Sequence, residues 1–165
     1  MKVQQLMTPI VGTCGPGDNL AAVAMTMWRQ DCGVVPVVNE ERKVLGMITD
    51  RDICMATATR HRAPEQLEAH EVMGPRLIVV RPEDDAHTAL AALGKSQVRR
   101  LPVVDSDSRL VGIVSINDFI LHAEPTAARA RAAIPMADVL ETLKAICTHP
   151  PLRTVAPKHE LATVG

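Results

Sequence analysis

Two stretches decide the fold of this chain: Gly46-Met47-Ile48-Thr49-Asp50-Arg51-Asp52 and Gly112-Ile113-Val114-Ser115-Ile116-Asn117-Asp118. In each, a short apolar run typical of a strand leads to a hydroxyl residue that favours a helix N-terminus, and a carboxylate follows three positions later. The stretches lie 66 residues apart, and turn residues elsewhere match at the same shift, Pro16 and Asp18 with Pro82 and Asp84. Two copies of one structural unit explain this self-similarity.

Each copy is predicted to fold as strand, helix, strand, strand and helix (βαββα). The central strands are predicted at residues 34–38 and 101–104, and the second helices open at Thr49 and Ser115. Such a unit leaves one apolar sheet face uncovered, so the two copies should pack on each other. We therefore expect an α/β (α+β) fold. Apolar residues at helical spacing mark the first helix of each copy: Leu20, Val23, Ala24 and Met27, and Ala86, Ala89, Leu90 and Leu93.

The chain divides into a first repeat at residues 1–60, a second at 69–124, and a C-terminal helical segment with a loose tail at 125–165. Within the last segment, residues 136–147 are amphipathic. This helix either packs on its own module or a dimer mate, or it docks an effector protein. Its predicted apolar face consists of Val139, Leu140, Leu143, Ile146 and Cys147.

Composition excludes several classes of function. The net charge is −1 and the only aromatic residues are Trp28 and Phe119, so the chain lacks the basic footprint and stacking platforms of a nucleic-acid-binding protein. No apolar run approaches the roughly 20 residues that a membrane span needs. The N-terminus carries no signal-peptide core, which favours a cytoplasmic location without membrane contact.

Catalysis and metal binding are not expected either. The four cysteines and six histidines are scattered through the sequence, without the close pairs of a zinc site. We find no glycine-rich phosphate loop and no nucleophile with an attendant base. An enzyme, a catalytic cofactor and a bound metal are therefore not predicted.

The hydroxyl and carboxylate of the repeated motif have two interpretations. They form a capping box, in which Asp52 and Asp118 reach back to the cap amides of Thr49 and Ser115. Alternatively, the helix start and hydroxyl attract a phosphate, while the carboxylate accepts hydrogen bonds from two vicinal ribose hydroxyls. The second interpretation predicts a nucleotide ligand.

These features resemble the CBS domain, named after cystathionine β-synthase, and its tandem form, the Bateman module. Both copies show Met-x-Pro, an Asp before the first helix, the Pro-Val-Val strand, and Gly-apolar-apolar-Thr/Ser-x-x-Asp. The resemblance implies two repeats about a pseudo-twofold axis with two clefts that bind adenosine compounds, and pairing into a homodimer. It implies AMP, ADP or ATP as a regulatory ligand, with S-adenosylmethionine or NAD as alternatives.

The resemblance also implies which residues contact the ligand. Asp52 and Asp118 match the ribose acids, and we expect the ribose on Asp118 in the first place, with Asp52 as its counterpart in the other cleft. Arg99-Arg100 is similar to the phosphate-binding pair in the nucleotide-sensing subunit of AMP-activated protein kinase. If base wall and ribose acid come from opposite repeats, one cleft pairs aliphatic residues with Asp118 and the other pairs arginines with Asp52. The full set of implied positions is Thr8, Ile10, Cys32, Gly33, Val34, Thr49, Arg51, Asp52, Arg76, Val98, Arg99, Arg100, Ser115, Asn117 and Asp118.

Two functions from different classes follow. The first is a stand-alone sensor that changes shape or assembly when an adenine nucleotide binds and passes this change to a partner. The second is a ligand-free module whose aliphatic surfaces serve dimerisation only. The hydroxyl and acid in both copies favour the first.

Overall fold

The computed structural model describes residues 1–9, 11–74, 76–125 and 133–148 of the chain. Repeat 1 contains α1 (Leu20–Arg29), β1 (Val34–Val38), β2 (Val44–Thr49) and α2 (Asp50–Arg60), followed by the short α3 (Ala69–Val72). Repeat 2 contains α4 (Ala86–Ser96), β3 (Arg100–Val104), β4 (Leu110–Ser115) and α5 (Ile116–Leu121). A short parallel pair, β5 (Ala123–Glu124) and β6 (Ile134–Pro135), precedes α6 (Met136–Cys147).

The two hairpins have the same register. β1 pairs with β2 and β3 with β4, antiparallel, which places Val34 opposite Thr49 and Arg100 opposite Ser115. Every residue of β1 is buried, as are residues 101–104 of β3, because these β-branched and leucine side chains form the core of each repeat. The two later strands predicted for each repeat, and the helix starts at Thr49 and Ser115, are confirmed.

The first strand predicted for each repeat is reduced to single bridges. Cys14 pairs with Val37 and Val80 pairs with Val103, both parallel. Gly15, Pro16 and Pro82 lie beside these positions. Proline has no backbone N–H to donate to a neighbouring strand, and glycine is a poor strand former. These segments therefore contact the sheets through isolated bridges instead of extending them, and a further single bridge joins Thr8 to Ile113 of the other repeat.

The residues that open each repeat belong to the core of the other repeat. We call residues 1–8 and 67–74 the arms. Val3 and Leu6 are buried in the core of repeat 2 beside Phe119. Leu67 and Ala69 are buried in the core of repeat 1. Burial of one such leucine side chain stabilises the fold by about 1.5–3 kcal/mol, so the exchange of arms ties the two repeats together.

Backbone hydrogen bonds fix the arms at equivalent places. Val3 N donates to Asp84 O at 3.0 Å, and Ala69 N donates to Asp18 O at 2.8 Å. The arm methionines then lie against the motif glycines, since a Cβ added to Gly46 or Gly112 would stand 2.9 Å from the sulfur of Met73 or Met7. The methionine and glycine of the repeated motif are therefore partners across the two repeats.

The C-terminal helix packs on its own module, as the first of the two interpretations predicts. Val139 is buried in the repeat 2 core, and a Cβ added to Gly94 of α4 would lie 3.5 Å from Thr142 Cγ2. Gln97 Nε2 donates to Ala145 O at 3.1 Å and to Thr148 O at 2.7 Å, which holds the end of the helix.

The predicted apolar face of α6 is partly wrong. Leu140 is 52% exposed and Cys147 is exposed, because α4 and α5 cover a narrower stripe than the helical pattern offers. The tail from residue 149 lies outside the described residues. In the part of the chain that the structure describes, no helix has the length and apolar character to cross a membrane.

Candidate functional site

Two clefts lie between the repeats, and each is lined by both of them. The larger has a volume of about 420 Å³, and we call it the arginine cleft. The smaller has a volume of about 200 Å³, and we call it the Asp118 cleft. The arginine cleft is lined by Gly33, Val34, Met47, Thr49, Asp50, Arg51, Arg76, Ile78, Gln97, Val98, Arg99, Arg100, Leu101 and Pro102. The Asp118 cleft is lined by Thr8, Val11, Gln30, Cys32, Val34, Arg100, Ile113, Ser115 and Asp118.

The arginine cleft concentrates positive charge. Its four arginines face one carboxylate, Asp50, and that carboxylate accepts a hydrogen bond from the backbone N–H of Arg51 at 2.7 Å. Among the described residues, none of the four guanidinium groups forms an ion pair or a side-chain hydrogen bond; they belong to Arg51, Arg76, Arg99 and Arg100. The cleft therefore presents donors that a bound anion would satisfy.

The motif of repeat 1 forms a capping box. Asp52 Oδ2 accepts hydrogen bonds from Thr49 N at 2.9 Å and Thr49 Oγ1 at 2.7 Å, and Asp52 N donates back to Thr49 Oγ1 at 3.2 Å. Thr49 lines the arginine cleft but Asp52 does not. Asp52 therefore influences the cavity only indirectly, because it orients the Thr49 hydroxyl that lines it.

The motif of repeat 2 makes the same two bonds to its acid but faces its cleft more directly. Asp118 Oδ2 accepts from Ser115 N and from Ser115 Oγ, each at 2.7 Å. Both residues line the Asp118 cleft. Asp118 Oδ1 accepts no hydrogen bond from any described residue, so this acid is both a cap and an available acceptor.

The positions implied by the resemblance divide between the clefts. Val34 and Arg100 line both, because each begins a central strand beside the other repeat. The arginine cleft also takes Thr49, Arg51, Arg76, Val98 and Arg99. The Asp118 cleft also takes Thr8, Cys32, Ser115 and Asp118.

Three of these positions, Gly33, Asp52 and Asn117, are not where the resemblance places them. Gly33 lines the arginine cleft and not the aliphatic wall of the Asp118 cleft, because it faces the start of α2, where an added Cβ would meet Asp50 Oδ2 at 3.0 Å. Asn117, like Asp52, lines neither cleft. Ile10 lies outside the described residues.

The sequence reasoning missed several lining residues, among them Gln30, Met47, Ile78 and Gln97. The sequence signal for Ile78 is its place two residues after Arg76, because alternate residues of an extended segment face the same side. No local motif marks Gln30, which reaches its cleft from the end of α1.

Two further observations concern reactive side chains outside the clefts. Burial raises the pKa of the Cys14 thiol from 9.0 to about 12, and the Asp18 carboxylate adds to the rise, so this thiol stays protonated. In the described ranges, no three histidine, cysteine or acidic side chains come together in a way that could hold a metal ion.

The sequence pattern of the CBS domain matches residues 3–58 and 69–124. The chain belongs to the CBS-domain family. The CBS domain-containing protein YhcV of Bacillus subtilis is 35% identical over 120 residues, which are 73% of this chain and 84% of that protein. The chain spans 57% of the length of another relative, the uncharacterized protein MK0525 of Methanopyrus kandleri, with 31% identity over 113 residues.

Solved structures show the same CBS-pair fold. Hypoxic Response Protein I, solved with two coordinated zinc ions, has a TM-score of 0.69 and 29% identity, and the match covers 75% of this chain and all of that one. The CBS domain pair of protein MJ0100, solved with 5′-methylthioadenosine and S-adenosyl-L-methionine, has a TM-score of 0.67 and 23% identity, with 73% and 98% of the two chains covered. The predicted fold class, with its C-terminal helix, is thereby confirmed.

Proposed function

We propose that this CBS pair is a non-enzymatic regulatory module that binds an adenine nucleotide (AMP, ADP or ATP) in the arginine cleft. The observation that supports this most is a cavity of about 420 Å³ lined by four arginines whose guanidinium groups pair with no described residue. That volume lies within the roughly 300–1,000 Å³ of small-molecule sites. Signalling would follow from a change of shape or assembly on binding.

The phosphates of a nucleotide supply the negative charge that the arginine cleft lacks. Guanidinium groups match phosphate oxygens with paired donors, and such charge-assisted bonds are about twice as strong as neutral ones. Arg51 comes from repeat 1, whereas Arg76 and Arg99 come from repeat 2. A bound polyphosphate would therefore hold the two repeats together, which gives binding a mechanical consequence.

The rest of the cleft suits a nucleoside. Val34, Met47 and Ile78 give it aliphatic walls for a base, and the Thr49 hydroxyl lies at the start of α2. The CBS pair of MJ0100 was solved with two adenosyl compounds, which supports that ligand class within the family. Neither of those compounds has a phosphate, so the arginines favour a nucleotide over them here. NAD, with its pyrophosphate, is the nearest competitor.

Calorimetry with ATP, AMP, NAD and S-adenosylmethionine tests this proposal. Arg99→Ala should weaken nucleotide binding by about ten- to a hundredfold, the effect of one lost charge-assisted bond. Arg29→Ala is the matched control, because Arg29 lies at the end of α1 and lines neither cleft. Equal affinities for the two variants, or no binding of any of the four compounds, would refute the arginine cleft as a nucleotide site.

The ligand-free scaffold is the second candidate, and the two capping boxes favour it. Thr49 with Asp52 and Ser115 with Asp118 have a structural role that needs no ligand. This function predicts that no adenosyl compound changes the melting temperature, although the module still self-associates. It does not account for the unpaired arginines.

Assembly as a homodimer is part of the proposal. Trp28 is 83% exposed and Leu121 is 80% exposed, and Met25 and Met55 are also exposed on the helices of repeat 1. Apolar groups of this size on a helical surface favour contact with a second copy or with an effector protein. Sedimentation should give a dimer at high micromolar concentration, and Trp28→Lys should shift it toward monomer. A wild-type monomer with and without ATP would contradict this.

A further inference from the structure

A glutamine side chain forms part of the wall of the Asp118 cleft. Gln30, the residue after α1, lines this cleft, and its Oε1 accepts a hydrogen bond from Gly12 N at 2.8 Å. A Cβ added to Gly12 would fall on the Gln30 carboxamide. The absence of a side chain at residue 12 therefore makes room for the carboxamide, which bridges α1 to the segment that follows the first arm.

The arginine cleft has no such bridge. At the repeat shift, Gly12 corresponds to Ile78 and Gln30 to Ser96, so the short serine replaces the long amide. The next residue, Gln97, is long enough, but its Nε2 donates to Ala145 O and Thr148 O at the end of α6. Gln97 therefore lines the arginine cleft, but its amide is bonded to the end of α6 and not across the cleft.

Cleft volumes agree with this difference. The Asp118 cleft measures about 200 Å³, below the roughly 300 Å³ at which small-molecule sites begin, whereas the arginine cleft measures about 420 Å³. The Asp118 cleft nevertheless contains Ser115 and an acid whose Oδ1 is available. Its polar groups fit a nucleoside, but its volume does not.

We propose that Gln30 is a specificity-determining residue that closes the Asp118 cleft and leaves the arginine cleft as the stronger of two nucleotide sites. The inference rests on the proposed function, since it concerns which cleft a nucleotide enters. A ligand too large for the present volume of the Asp118 cleft gains room there when the carboxamide leaves Gly12 N. Its apparent affinity is reduced by the fraction of molecules in which the bond is closed.

Calorimetric titration of AMP into wild type, Gln30→Ala and the control Ser96→Ala measures this effect. In Gln30→Ala the weaker of two binding steps should strengthen by about three- to tenfold, the range expected for one lost hydrogen bond. The stronger step should change less than about twofold, and Ser96→Ala should behave like wild type. Adding Asp118→Asn to Gln30→Ala should cancel the gain, which assigns it to this cleft.

Amide hydrogen exchange at Gly12 provides a readout that needs no ligand. Exchange should accelerate in Gln30→Ala and stay unchanged in Ser96→Ala, because only Gln30 accepts this hydrogen. Unchanged exchange, or an unchanged weaker step in a variant with the wild-type melting temperature, would overturn the role of Gln30.

The outcomes separate the two proposals. If wild type binds AMP and the affinity of the weaker step is unchanged in Gln30→Ala, the role of Gln30 fails and the proposed function stands. If wild type binds no AMP but Gln30→Ala binds one per chain, the arginine cleft fails and the role of Gln30 stands. If neither protein binds AMP, both fail.

Discussion

The two clefts descend from the same repeated motif yet differ in charge, volume and closure. The arginine cleft is lined by four arginines and one carboxylate; the Asp118 cleft is lined by one arginine and one carboxylate. The first is lined by the aliphatic Ile78, and the second is lined by Gln30, whose amide oxygen accepts a hydrogen bond from Gly12 N. Duplication thus conserved the capping box, which holds each helix start, while the residues around it changed. The shared box supports folding in both repeats, and the surrounding residues decide which cleft suits an anion.

The backbone pairing at the base of each cleft, which we call its floor, differs as well. Under the Asp118 cleft, Thr8 and Ile113 exchange two backbone hydrogen bonds, at 2.8 and 3.0 Å. Under the arginine cleft, Gly74 N donates to Met47 O at 3.0 Å. The tighter floor brings the Thr8 carbonyl within 2.8 Å of where a Cβ on Gly112 would stand, whereas at Gly46 the nearest atom is the flexible Met73 sulfur.

The largest expected effect tests this difference in the floors. Gly112→Ala should destabilise the protein by about 2–3 kcal/mol, because a backbone carbonyl must move. Gly46→Ala should cost about 1 kcal/mol or less, since the methionine side chain can adjust. Urea denaturation of both variants measures the gap. Equal losses of stability would show that the two floors are equally tight.

A smaller effect is expected at the acid of the Asp118 cleft. Asp118→Asn keeps most of the capping ability but loses the charge that would accept ribose hydroxyls, so affinity at this cleft should fall about tenfold. The readout is the AMP-induced shift in melting temperature, measured in the Gln30→Ala background. Asp52→Asn is the matched control, because Asp52 caps α2 without lining a cleft. An undiminished AMP-induced shift in the Asp118 variant would show that this acid serves only as a helix cap.

The smallest effect concerns Cys14, which corresponds to Val80 in repeat 2. Cys14→Val should change stability by less than about 1.5 kcal/mol at pH 7, as for other swaps of similar volume. Above pH 9 the two proteins should diverge. Burial raises the folded pKa of this thiol from 9.0 to about 12, so the unfolded chain loses its proton first and wild-type stability falls as pH rises through that window.

Denaturation of wild type and Cys14→Val at pH 7 and pH 10 isolates the contribution of the thiol, since all other titrating groups are shared. Wild type should lose more stability between these pH values than the variant. Parallel losses would show that the Cys14 thiol ionises in the folded protein at its ordinary pKa.

Local features of this fold could be predicted from sequence because local residues cause them. The β-branched runs gave β1 and β3, and Thr49 and Ser115 marked the starts of α2 and α5. The bounds of α6 followed from its apolar spacing and Pro135. The exposure of Leu140 did not follow, because helical spacing shows which face is apolar and not how much of it a neighbour covers.

The candidate site was predictable in part for the same reason. The repeat shift pointed to both motifs, and the structure brings Arg51 together with Arg99 and Ser115 together with Cys32. The position of Asp52 behind Thr49, the direction of Gly33 and the bridge from Gln30 to Gly12 depend on contacts between segments far apart in sequence. No spacing rule within one repeat contains that information.

The exchanged arms make the two repeats one cooperative folding unit. Residues 1–66 alone would lack Leu67 and Ala69 from their core while leaving Val3 and Leu6 without a site. A gene cut between codons 66 and 67 would therefore yield two fragments that are each unstable and complementary. The fold would return only when the fragments associate, because each half supplies the apolar arm side chains that complete the core of the other.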